Sequence, residues 1–82
     1  MIIGIPSETK PRENRVAMVP GNVLAMIKKG AKVLLESGAG MRAGYRDEDY
    51  EIAGAELVNN RSDVFDRSDI ILQVQSFGAN QD

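Results

Sequence analysis

Apolar residues fall in short blocks separated by polar or glycine-rich stretches. Ile2, Ile3 and Ile5 form a β-branched run closed by Pro6, which predicts a buried strand. From Ser7 to Asn14 the chain is polar apart from Pro11, so a loop follows. Pro20-Gly21-Asn22 then punctuates the chain before Val23, Met26 and Ile27, whose spacing predicts a helix from about Asn22 to Lys29. Lys28 and Lys29 complement the carbonyl end of that helix, and Gly30 stands where a left-handed cap is needed. Val33, Leu34 and Leu35 occur consecutively within Ala31 to Glu36, the pattern of a strand covered on both faces. Ser37 to Arg46 reads as a glycine-rich loop, and Asp47-Glu48-Asp49 as the acidic start of a short helix through Tyr50 and Ala53, closed by Gly54. Leu57 and Val58 predict a brief strand. Asn59 to Ser62 supply turn and cap residues for a second short helix around Val64 and Phe65, and Ile70 to Gln75 reads as a further buried strand.

Strands alternating with helices imply right-handed crossovers, a parallel sheet and helices on its faces. The expected fold is therefore α/β, an incomplete Rossmann-like or flavodoxin-like domain. The last predicted strand ends close to Asp82 with no helix behind it, so residues 1–82 are expected to form a single, truncated N-terminal domain.

Composition narrows the chemistry. With 82 residues the chain suits one small domain and cannot easily enclose a deep site by itself. Lys and Arg number 10 against 12 Asp and Glu, so no positive field exists to hold nucleic acid. Neither cysteine nor histidine is present, which removes disulfides, thiolate nucleophiles, imidazole metal ligands and histidine acid/base schemes. No apolar run is long enough to cross a bilayer, and Met1 to Pro6 passes straight into polar residues, unlike a secretory signal. A cytoplasmic location without direct membrane insertion is the expectation.

Four features are candidates for function. Gly38-Ala39-Gly40-Met41-Arg42-Ala43 has the G-x-G-x-x-A form of a dinucleotide turn after a strand. However, Gly44-Tyr45-Arg46 separates it from the next helix, and no acidic ribose ligand stands about 20 residues on. An ordinary tight loop is the better reading. Arg15, near the carboxyl end of the first strand, could grip a carboxylate bidentately or could instead pin the loop through Glu8 or Glu13; spacing favours the latter. Gln73 and Gln75, two apart, could present amides to a ligand or form the polar fringe of a strand. Asp47-Glu48-Asp49 serves the helix dipole better than a cation, so no metal site is assigned.

The segment Gly4-Ile5-Pro6-Ser7-Glu8-Thr9-Lys10, with Glu13-Asn14-Arg15-Val16-Ala17 and Pro20, resembles the amino-terminal signature shared by alanine dehydrogenases and the alpha subunits of proton-translocating NAD(P) transhydrogenases. Glu36-Ser37-Gly38-Ala39-Gly40, Asp47-Glu48-Asp49-Tyr50, Ala53-Gly54-Ala55 and Ser68-Asp69-Ile70 extend the resemblance from Met1 to about Gln75. It implies that NAD(H) is bound by a downstream domain, and that this segment holds no catalytic and no cofactor-binding residue. In the alanine dehydrogenases, the resemblance places a carboxylate-binding arginine at Arg15 and a lysine at the position of Gln75. With glutamine there, substrate binding through Arg15 and Gln75 is expected to be weak or vestigial, and the sequence is closer to the transhydrogenase branch. That branch implies hydride transfer between NADH and NADP+ coupled to proton movement, NADP(H) on a partner domain, membrane subunits as partners, a homodimeric parent subunit and a peripheral place on the cytoplasmic face of the inner membrane. An alanine dehydrogenase fragment and a non-catalytic α/β binding or assembly module are the competing readings.

Overall fold

The computed structural model describes residues 1–9 and 15–74. Four parallel strands, β1 (Ile2–Ile5), β2 (Lys32–Glu36), β3 (Glu56–Val58) and β4 (Ile70–Ile71), form one sheet in the order β3-β2-β1-β4. Three α-helices connect them, α1 (Pro20–Lys28), α2 (Asp47–Ala53) and α3 (Arg61–Arg67), with a 3-10 turn at Met41–Ala43. The α/β expectation holds. The strand order follows the Rossmann arrangement, since the chain leaves β1 in one direction through β2 and β3 and returns to the other side of β1 with β4.

The consecutive apolar run in β2 is explained by the two covered faces. Val33 and Leu35 point with Ile3 and Ile5 into the larger core, which Val23 of α1 and Tyr50 and Ala53 of α2 complete. Leu34 points the other way, onto Val64 of α3 and Val58, with Ile2 and Ile71 at the margin. Close approach of α3 depends on Gly4, because a Cβ there would lie 2.8 Å from Ser68 Cβ and 2.9 Å from Val64 Cγ1.

Two boundaries differ from expectation. Helix α1 starts at Pro20 rather than Asn22, since proline fits the first helical position, where its missing N–H would have no partner in any case. Strand β4 spans two residues rather than Ile70 to Gln75, and it lies at the sheet edge with Ile70 exposed and Ile71 half-buried. Among the described residues it pairs only with β1, and its apolar run is half-covered there rather than fully buried. Gln75 lies outside the described residues.

Candidate functional site

In an open parallel sheet, ligands bind at the carboxyl ends of the strands where the order reverses, here between β1 and β4. Pro6 is buried just beyond β1, and both backbone polar groups of the next residue are bonded. The Ser7 N–H donates to Glu36 Oε1 at 2.8 Å, and Arg61 Nη1 donates to the Ser7 carbonyl at 2.7 Å. Arg61 also pairs with Glu36 at 3.3 Å. Glu36 ends β2 and Arg61 opens α3, so three elements set the direction in which the chain leaves β1. One residue on, Glu8 Oε2 accepts the Val74 N–H at 2.9 Å and ties the exit of β1 to the exit of β4.

The loop after β2 forms the opposite wall. Asp47, at the start of α2, accepts from Ser37 Oγ at 2.6 Å and from the Gly38 N–H at 2.8 Å. Asp49 accepts the Arg46 N–H at 2.9 Å, so both acids bond to the loop that leads into α2. The loop opens into the one-turn 3-10 segment, and Gly44 at φ +93° turns the chain away before α2. The Gly38 to Ala43 motif is therefore a tight turn with no α-helix N-terminus behind its glycines, as its sequence context indicated.

Tyr50 joins these walls. Its fully buried ring leaves no room for a Cβ at Gly40, where one would lie 2.5 Å from Tyr50 Cε2. Its hydroxyl donates to the Met18 carbonyl at 2.9 Å, and Tyr45 meets it edge-on at 6.3 Å between centroids. Burial, with smaller contributions from Tyr45 and Asp49, pushes the phenol up to about 12, so it remains a donor at neutral pH.

Between the walls lies a cavity of about 200 Å³ lined by Ser7, Glu8, Arg15, Gly38, Ala39 and Arg42. A space of this size has room for a small molecule. Two guanidiniums, Arg15 and Arg42, and one carboxylate, Glu8, stand in the lining. Arg15 stands on this wall with Glu8, whereas Gln73 is half-buried beyond β4 and not on the lining. Among the described residues no cluster of three or more acidic side chains is placed to hold a metal.

Sequence reasoning missed Arg42, the Glu36–Arg61 clamp and the structural task of Tyr50. Arg42 carried a signal, a cation in a glycine-rich loop just past a strand that neighbours β1. The clamp had none, because Glu36 and Arg61 are 25 residues apart.

A parallel sheet of this order, with a small cavity beyond the carboxyl ends of β1 and β2, defines an α/β protein of the Rossmann type. The chain belongs to the alanine dehydrogenase/PNT N-terminal domain family, whose model matches residues 4–82. It is 45% identical over 75 residues to the alanine dehydrogenase of Bacillus subtilis and 44% to that of Methanococcus maripaludis, covering 92% of this chain in both. The chain spans only 20% of the length of these curated relatives. Among solved structures, an L-alanine dehydrogenase superposes with a TM-score of 0.89 at 36% identity, covering 96% of this chain and 22% of the other. The transhydrogenase from Sinorhizobium meliloti superposes with a TM-score of 0.82 at 33% identity, covering 89% and 20%. The named relatives are oxidoreductases. No helix among the described residues is long and apolar enough to cross a membrane.

Proposed function

We propose that the protein carrying this chain is the NAD(H)-binding subunit of a proton-translocating NAD(P) transhydrogenase, which moves hydride between NADH and NADP+. The observation that carries this reading is Gln75, which stands where the dehydrogenases that the chain resembles place a lysine. It directly follows Val74, whose N–H is bound by the cavity residue Glu8. An amide there replaces a charge-assisted contact to a substrate carboxylate by a neutral one, a loss of roughly 1.5–3 kcal/mol. The 33% identity to a solved transhydrogenase is consistent with this branch, alongside the 36% to a solved L-alanine dehydrogenase.

In this reading NAD(H) sits on a downstream domain of the parent subunit and NADP(H) on a partner domain. Membrane subunits carry the proton path, the parent subunit forms a homodimer on the cytoplasmic face, and residues 1–82 catalyse nothing alone. The test is hydride transfer from NADH to an NADP+ analogue by the intact protein with its partner subunits. Transfer is expected; efficient amination of pyruvate in its place overturns the reading.

A second reading, an NAD-dependent alanine dehydrogenase, is favoured by the 45% identity to such an enzyme and by Arg15 on a small cavity. On that reading Gln75→Lys tightens pyruvate binding and raises amination by the intact protein.

A further inference from the structure

We propose that the outer face of α1 and α2 is a self-association surface, on which a second copy of this chain packs about a two-fold axis. The inference rests on the homodimer proposed above and names its surface, whichever hydride transfer the parent protein performs.

Both helices cross between neighbouring strands of a parallel sheet and cover the same core, so they run side by side in the same direction. Val23 of α1 and Tyr50 and Ala53 of α2 turn inward. The outward face carries Leu24, 42% exposed, one turn before Lys28, and Glu48 one turn before Ile52, which is 85% exposed. Ile27 joins the two helices, because a Cβ at Gly54, which caps α2, would lie 3.4 Å from its Cγ1. That contact sets the end of α1 level with the end of α2. Glu48 lies about 9 Å back along α2 from Gly54, so Lys28 and Lys29 stand at one corner of the face and Glu48 at the opposite one.

Each set of charges suits its own helix dipole, acids in the first turn of α2 and a lysine in the last turn of α1. The dipoles do not account for Leu24 and Ile52, which gain nothing from facing water, and Ile52 is the most exposed large apolar side chain among the described residues. The face is therefore self-complementary, positive at one corner, negative at the opposite corner and apolar between them. A two-fold axis along the other diagonal brings Lys28 and Lys29 of each copy to Glu48 of the other, twice, and covers Leu24 and Ile52. A partner of single-sign charge meets a like charge at one corner, whereas a second copy does not.

Cysteine cross-linking of the intact protein tests the proposal. Residues 1–82 contain no cysteine, so Lys28→Cys and Glu48→Cys each introduce a single thiol on this face. Mixed and oxidised, the two variants are expected to give a covalent pair that neither variant alone nor the wild type gives. In sedimentation, Ile52→Ser is expected to weaken self-association about tenfold. Its circular dichroism is expected to stay that of the wild type, because the side chain is exposed. Lys28→Glu and Glu48→Lys are each expected to weaken association about three- to tenfold and, combined in one chain, to restore it to within about twofold. A dimer that forms without the cross-link and tolerates these changes overturns this surface and leaves the proposed homodimer standing. A protein that stays monomeric overturns both, and gives the face to another protein or to another part of the parent chain.

Discussion

The Tyr50 hydroxyl donates to the carbonyl of Met18, 32 residues earlier, while the edge of the same ring closes over Gly40. A single side chain of α2 thus spaces the loop before α1 from the loop after β2, and these two loops bring Arg15 and Arg42 to the cavity.

Gly40→Ala forces a methyl to within 2.5 Å of Tyr50 Cε2, and the buried ring has no free space into which to retreat. The cost is expected to be about 1–3 kcal/mol, the range for overpacking. The backbone at Gly40 has φ −95°, so sterics against the ring, and not backbone strain, set this cost. Tyr50→Phe keeps the ring but leaves the Met18 carbonyl without its donor, at about 1–3 kcal/mol. Denaturant unfolding of the two single variants and the double variant is expected to show non-additivity, since both act on the Tyr50 side chain.

Alkaline pH is expected to release the same post. The folded Tyr50 phenol is raised to about 12 from an ordinary 10.0, so its contribution is complete below pH 10.0 and is lost as pH rises through about 12. Ultraviolet absorbance of phenolate, followed alongside circular dichroism, should show Tyr50 ionising together with unfolding. Ionisation of Tyr50 at its ordinary value in the folded protein would contradict this account.

Removing the Ser7 clamp should loosen the exit of β1. Glu36→Ala deprives the Ser7 N–H of its acceptor and Arg61 of its ion pair, at an expected cost of about 1–3 kcal/mol. Hydrogen exchange is expected to accelerate at the Ser7 amide in particular. Arg61→Met releases the Ser7 carbonyl and also removes the guanidinium that stacks 5.2 Å from the Phe65 ring centroid.

Acid should act at the opposite edge of the sheet. Hydrogen bonds from Arg67 at 2.8 and 3.2 Å, and then the contact with Lys32 at 3.2 Å, hold the Glu56 carboxyl down to about 2 from an ordinary 4.5. Its contribution is therefore present above pH 4.5 and is lost as pH falls through about 2. Nuclear magnetic resonance titration of the Glu56 carboxyl is expected to give the depressed value, and Arg67→Gln to move it back toward 4.5. Added salt should shrink the depression, because all three side chains are solvent-accessible.

The α/β class, the parallel sheet and most element positions follow from local patterns alone. Ile3, Ile5, Val33, Leu34 and Leu35 must be buried wherever the chain folds, and Gly30 and Gly54 close helices because left-handed backbone favours glycine. The separation of Gly38 and Gly40 from the next α-helix was also legible locally, from Gly44-Tyr45-Arg46. What only the tertiary structure decided is the strand order, and with it which loops meet. Arg15 and Arg42 share a cavity because β1 and β2 are neighbours and Tyr50 joins the loops beside them. Glu36 meets Ser7 and Arg61 for the same reason. These contacts are long-range and depend on packing rather than on any sequence period, so a chain read residue by residue carries the parts of the site but not their juxtaposition.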